Sequence, residues 1–237
     1  MPDWLGLFAF GAEGWGDELA IGAWLTVRLA AASLVVGLVL GLLGAGAKMS
    51  RFRVLRLLAD VYTTLIRGIP ELLVIFLVFF GGSFALQAAF RLFGRDEYVE
   101  VNAFAAGVFA LSLVFGAFAT EVFRGAFQAV PPGQIEAARA FGMSRWLIFR
   151  RIQLPQVWRF ALPGLGNLWL VLIKDTSLVS VIALDELVRQ TNIAVGATKL
   201  PFNFYLAAYV IYLLMTAVSE AAKGKLERMA ARGVRSA

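Results

Sequence analysis

Apolar residues in this chain come in runs much longer than the three-to-four spacing of an amphipathic surface helix, and the polar residues gather between the runs. Leu29 to Ala47 and Leu72 to Phe90 reach or approach the ~20 residues that carry a helix across a bilayer. In order, the pattern predicts five spans. The first covers roughly Leu19 to Ala47. From Leu57 the apolar character continues to Phe90, about 50 Å of helix and too long for one straight crossing. Ile66-Arg67-Gly68-Ile69-Pro70 supplies a break, because Pro70 disfavours helical geometry at Ile69 and suits the start of a new helix near Glu71; a simple proline kink is the alternative. Asn102 to Val122 is the third span, running on into Pro131-Pro132. The fourth begins near Pro155, bends at Pro163-Gly164 and is interrupted by Lys174-Asp175-Thr176-Ser177, with Val179 to Leu184 as a short half-helix beyond. Asp185 to Lys199 is a polar excursion. Phe202 to Ala222 forms the last span, and Lys223 to Ala237 a basic tail.

Composition agrees with an all-α integral membrane protein. Hydrophobic residues make up 60% and charged residues 16%, where a soluble domain would have roughly a quarter charged. The 237 residues are expected to form one transmembrane domain, 1–237. Cysteine and histidine are both absent, which excludes disulfides, Cys or His metal sites, and nucleophiles that need an imidazole base. A net charge of +6 would suit nucleic acid, but the basic residues follow membrane topology instead. Fourteen Lys and Arg fall in the loop after span one, the central loop and the tail, against four on the other side, Arg91, Arg95, Arg189 and Lys199. That asymmetry predicts N-out, C-in. Met1 to Glu18 carries only acids, so it does not read as a cleaved signal, and Trp4 and Trp15 suit an interface. Arg28 can snorkel outward, and Gly37 with Gly41 lets a neighbouring helix approach. Gly41 to Ser50 looks like a phosphate loop but has Ala47 where Lys is required, so no nucleotide site is expected there.

The segment between spans three and four, about 131–155, carries the most information. Pro132 fits only at a helix start, and a short helix about Gln134 to Phe141 is expected. Glu136 would lie in its first turn, at the positive end of the dipole, while Ala137 and Ala138 leave a small-residue surface that another protein can approach. Gly142 permits a left-handed turn, and a second helix starts near Ser144. Arg139, Arg145, Arg150 and Arg151 keep the loop in water. An amphipathic helix on lipid headgroups, anchored by Trp146 and Phe149, is the alternative.

The fixed points Glu136-Ala137-Ala138, Gly142, Ile152, Leu154 and Pro155 resemble the signature loop of the membrane subunits of ATP-binding-cassette importers. TTLIRGIPELL, TEVFRGAFQAVPPGQIEAARAFG and KDTSLVSVIALDEL are similar to the permease subunits of the histidine, arginine/lysine and opine importers, a branch of the polar amino-acid uptake family. The resemblance implies a type I importer transmembrane domain in the bacterial inner membrane, multi-pass, handling an amino acid delivered by an external binding protein. It further implies a second permease subunit, homologous or identical, and two ATP-binding subunits that carry the ATP and Mg; the chain itself would hold no cofactor and be no enzyme. Glu136, Ala137, Ala138, Arg139 and Gly142 would then form the helix that couples to the ATPase. Two positions depart from the family: Pro132 stands where a basic residue is usual, and Asp175 lies in a segment that varies.

Ionisable groups within spans cost about 2.5 to 3.5 kcal/mol on insertion scales, which makes Glu71, Glu121, Lys174 and Asp175, with the neighbouring Thr176 and Ser177, candidates for the substrate path. Two of them also have structural readings: Asp175 as a cap for a half-helix starting at Thr176, and Glu121 as an i,i+3 partner of Arg124. Gly68, Pro70, Pro155 and Pro163 are the expected structural breaks. A basic or opine-type amino acid is the expected cargo. Neutral or acidic amino acids remain an alternative, as does a channel or multi-span scaffold that needs no ATPase.

Overall fold

A computed structural model describes residues 6–11, 14–92 and 101–231. Trp4, most of the loop from Arg91 to Glu100, and Arg232 and Arg235 of the tail lie outside them. All regular structure among the described residues is helical: α1 (Gly16–Lys48), α2 (Arg53–Gly68), α3 (Glu71–Leu92), α4 (Ala103–Gln128), α5 (Pro132–Ala140), α6 (Arg145–Ile148), α7 (Leu154–Asp175), α8 (Leu187–Thr198) and α9 (Pro201–Ala230), with short 3₁₀ and π segments between them. Among the described residues, five helical stretches are long and apolar enough to cross a membrane: α1, α3, α4, the continuous Arg145–Ile182 and α9.

α4 is the centre of the bundle, with buried residues on every side from Ala106 to Ala126. Its principal partner is α1, which presents a seam of glycines. A Cβ on Gly37 would lie 2.6 Å from the Phe115 ring, on Gly41 2.7 Å from Ala119, and on Gly44 2.2 Å from Thr120 Oγ1, so only glycine permits this approach. Ser112 Oγ reaches the Ser33 carbonyl at 3.2 Å in the same seam. Residue numbers rise together along both helices, so α1 and α4 run parallel. Lys48 and Gln128, their last residues, therefore lie towards the same end of the bundle. Arg28 does not stand free, since its guanidinium sits 5.8 Å over the Phe104 ring of α4.

α2 ends at Gly68, Ile69 is extended at φ −117° and ψ 150°, and Pro70 precedes α3. The basic stretch after α1 is partly helical, because Arg53 and Arg56 belong to α2. Pro163 does not end α7, which continues past it to Asp175. Pro155 likewise lies within a continuous helical path, just after a π turn over Phe149–Gln153 that joins α6 to α7. The expected interruption at Lys174–Ser177 is a tightening instead: the helix passes into a 3₁₀ segment, Thr176–Ile182, which ends at Ala183 in the left-handed region with φ 63°. The polar excursion after it contains the helix α8, capped by Glu186. α9 also outruns the expected last span, because no proline follows Ala222 and the stems of Lys223 and its basic neighbours can leave the apolar layer.

Candidate functional site

The central loop forms a defined cap-to-cap unit. Pro131, with φ −60° and ψ 126°, is the N-cap of α5, and Pro132 takes the first helical position, where a missing N–H costs nothing. Because the helix starts two residues before the expected Gln134, Glu136 lies in the second turn and gains little from the helix dipole. The far end closes as a Schellman turn. Gly142 has φ +75°, its N–H donates to the Arg139 carbonyl at 2.9 Å, and the Met143 N–H donates to the Ala138 carbonyl at 3.1 Å. Ser144 caps α6 by accepting from the Leu147 N–H at 3.3 Å. Glu136, Ala137, Arg139 and Gly142 are exposed, whereas Ala138 is buried against the protein itself. The outward surface is completed by Ala140 and by Phe141, 89% exposed. Sequence reasoning passed over Phe141 because a lone aromatic at a helix end reads as core. A side-chain hydrogen bond of 2.6 Å from Gln156 Nε2 to Gln134 Oε1 ties this unit to the foot of α7.

The substrate-path candidates separate into distinct places. Glu71, at the first residue of α3, and Asp175, at the last of α7, line one cavity of about 150 Å³ whose remaining walls are Leu111, Val114, Phe115, Phe118, Leu168, Val171 and Leu172. No cation is among the lining residues. Arg67 stands behind one wall, its guanidinium 5.2 Å over the Phe118 ring. Lys174 is exposed and does not line the cavity. Thr176 is buried and donates to the Ile173 carbonyl at 2.6 Å, and Ser177 donates to the Lys174 carbonyl at 2.7 Å. Asp175 makes no capping hydrogen bond to the segment beyond it; the helix continues through it, so no free N–H groups are presented there. Glu121 belongs to a different constellation. Lys48 Nζ lies 2.6 Å from one of its oxygens and Arg124 Nη2 2.8 Å from the other, while Lys48 also reaches Asp60 of α2 at 2.9 Å.

At the opposite end of α1 is a carboxylate that the sequence did not single out. Glu186 is fully buried. It accepts from the backbone N–H groups of Val188 at 3.0 Å and Arg189 at 2.9 Å, and the hydroxyls of Thr26 and Tyr212 each lie 3.4 Å from its Oε2. Burial pushes its carboxyl up to about 7, against the lowering effect of these donors.

A family model, the binding-protein-dependent transport system inner membrane component, matches residues 37–231. The chain belongs to this family. As a member it is an inner-membrane transport permease component and not an enzyme, ATP hydrolysis residing in a separate subunit. It is 55% identical to the nopaline transport system permease protein NocQ of Agrobacterium fabrum, over 98% of this chain and 99% of that one. It is 43% identical to the histidine/lysine/arginine/ornithine transport system permease protein HisQ of Escherichia coli, over 94% and 98%. A chain in the crystal structure of an amino acid ABC transporter with histidines superposes with a TM-score of 0.78 at 33% identity, covering 91% of this permease and 95% of that chain. The MetNI methionine ABC transporter in an inward-facing conformation matches at a TM-score of 0.71 and 17% identity, which speaks for the fold alone. The permease therefore has the fold of a type I ABC importer transmembrane domain.

Proposed function

We propose that this permease carries a basic or opine-type amino acid across the bacterial inner membrane, and that residues 1–237 act as one transmembrane unit. Its relatives are named for nopaline and for histidine, lysine, arginine and ornithine. The observation that carries the reading is the pair Glu71 and Asp175 on one small cavity with no cation in its lining. Two carboxylates in an apolar surround are costly, and a cationic cargo offsets that cost where a neutral one does not. The cargo's own carboxylate is met by the N-terminus of α3 behind Pro70, with Arg67 close by.

In this reading the exposed face of α5, Glu136, Ala137, Arg139, Ala140 and Phe141, seats in a cytoplasmic ATP-binding subunit, with Gly142 setting the turn that aims it. Two such subunits, a second permease subunit and an external binding protein complete the importer. ATP and Mg belong to the ATPase, and the N-terminus of the permease faces outward. The charge asymmetry of the loops and the parallel course of α1 and α4 support that orientation.

The cargo assignment is tested by uptake into vesicles holding the assembled importer. Glu71→Gln and Asp175→Asn should each raise the half-saturating concentration of a basic amino acid about tenfold, equivalent to 1.4 kcal/mol, with far less effect on a neutral one. Equal losses for both would remove the cavity from the cargo path. Orientation is read separately with single cysteines. Asn192→Cys and Arg145→Cys replace exposed residues and should react with an impermeant reagent from opposite faces; reaction from one face rejects the topology.

A further inference from the structure

Glu186 is the one fully enclosed acidic side chain among the described residues, and the cargo path just proposed does not use it. Just before it, the chain goes through two unfavourable conformations. The 3₁₀ segment Thr176–Ile182 is seven residues long, well beyond the three or four over which that geometry usually persists. Ala183 then adopts φ 63°, a left-handed conformation that is unfavourable for a residue with a Cβ. Such features last only where their surroundings over-determine them. On one side the segment is held by apolar packing, with Val179 fully buried against Gly107 of α4. On the other side the constraint is polar, and Glu186 is its centre.

The carboxylate binds three separate stretches at once. It caps α8 through two backbone N–H groups. Thr26 of α1 lies against its Oε2 and also accepts from the Leu187 N–H at 3.2 Å. Tyr212 of α9 approaches the same oxygen, and its hydroxyl is within hydrogen-bonding reach of Thr176 at the head of the 3₁₀ segment. All of these donors are neutral. The nearby charged side chains turn elsewhere, Arg189 lying 3.8 Å from Asp185. The site asks for an acceptor of carboxylate shape and makes no use of a negative charge.

We propose that Glu186 is a positioning residue for transport, locking the Thr176–Ile182 segment, and with it the Asp175 wall of the cavity, onto α1, α8 and α9. The effect on cargo rests on the cavity reading above; the lock itself does not. A glutamine at this position keeps most of the lock: its carbonyl oxygen in the place of Oε2 still accepts from the Val188 N–H and lies against the Thr26 and Tyr212 hydroxyls, and only the Arg189 N–H, which donates to Oε1, loses its acceptor. An alanine leaves the end of α8 uncapped and removes the oxygen that Thr26 and Tyr212 share, though the Thr26 hydroxyl keeps the Gly22 carbonyl at 3.0 Å as an acceptor.

The chain has no cysteine, so Val179→Cys introduces a single thiol into this protein at a fully buried point of the segment. In the assembled importer, labelling of that thiol by an impermeant maleimide should be about tenfold faster with Glu186→Ala, as local opening becomes easier, and closer to the parent than to Glu186→Ala with Glu186→Gln, which gives up one capping bond and keeps the rest. No acceleration by Glu186→Ala, or acceleration as large by Glu186→Gln, overturns the proposal. Where Glu186→Ala fails to assemble, Thr26→Val with Tyr212→Phe keeps the cap and cuts the ties to α1 and α9. That double variant should also expose the thiol, and full protection in it overturns the proposal too. Uptake by the same variants separates the two readings: fast labelling with an unchanged preference for basic cargo keeps the lock and counts against the cavity.

Discussion

The two ends of α1 each meet a carboxylate from a distant part of the chain, and they hold it by opposite means. At the Lys48 end, Glu121 lies between two cations, Lys48 at 2.6 Å and Arg124 at 2.8 Å, with Asp60 drawn in from α2. At the Thr26 end, Glu186 has no cation and is held by backbone N–H groups and hydroxyls. The first arrangement sets cations directly against the carboxylate. The second keeps its charge only against a desolvation cost, which is why that carboxyl is displaced to about 7. Between the ends lies the Glu71 and Asp175 cavity, whose lining offers neither kind of partner. Carboxylates within one bundle thus have different surroundings: cations at one end, neutral donors at the other, and neither in the lining of the cavity, which is the surrounding that the proposed cargo site requires.

The sharpest way to break the comparison is to remove the cation at one end. Lys48→Met keeps the stem of a side chain that is 11% exposed and leaves Glu121, 21% exposed, with Arg124 as its one remaining cation. Stranding one member of a largely buried pair costs 3–5 kcal/mol in other proteins; with Arg124 still present, about 3 kcal/mol is expected. The unfolding midpoint in detergent measures it. A loss below about 1 kcal/mol would place this cluster among ordinary surface pairs.

The next effect is smaller and depends on pH. The Glu186 carboxyl is raised from its ordinary 4.5 to about 7, so the folded state holds the proton more tightly than the unfolded one. Stability from this group is then fully present below about 4.5 and is lost as pH rises through about 7. Between pH 5 and pH 8 the loss should be on the order of 2 kcal/mol, with each unit of displacement worth at most 1.36. Other groups titrate in the same window, so the informative quantity is the difference between the parent and Glu186→Gln, which lacks this slope. Parallel pH profiles for the two would mean that the carboxyl titrates as if exposed.

Much of this architecture was legible along the chain because long apolar runs and helix breakers act locally. Gly68 and Pro70 fall at the break between α2 and α3, and the spacing from Glu136 to Pro155 marks the central loop. Features set by distant partners were not legible. Lys48 and Glu121 are 73 residues apart and Thr26 and Glu186 160 apart, and no local pattern announces either meeting. Glu186 sits in a polar stretch that reads as solvated loop, so α8 and its cap were missed together. The small size of Ala138 predicts an outward position, but which face of a short helix turns inward is decided by the helices beneath it, and Ala138 is buried. The 3₁₀ continuation past Asp175 is unreadable for the same kind of reason: Lys174-Asp175-Thr176-Ser177 favours a break locally, and packing of Val179 against Gly107 holds the segment helical.

The smallest expected effect tests whether the Lys48 end behaves as a network or as a pair with an onlooker. Asp60 lies 2.9 Å from Lys48, closer than most surface ion pairs require, but its side chain is 60% exposed where that of Glu121 is 21% exposed. Water screens Asp60 in both the folded and unfolded states, so its attraction to Lys48 is largely offset by the hydration it gives up and by the ordering of two side chains. Asp60→Asn should therefore lower stability by less than about 1 kcal/mol, and added salt should shrink the difference further. The amide can still accept from Lys48, and Glu121 remains as the partner that fixes the ammonium. The cycle of Asp60→Asn and Lys48→Met, singly and together, isolates the coupling between them. A coupling near zero makes α2 a neighbour of the fastening. If the coupling matches the whole effect of Lys48→Met, α2 is fastened through Asp60 as firmly as α4 is through Glu121, and the exposure difference between the two carboxylates does not govern their contributions.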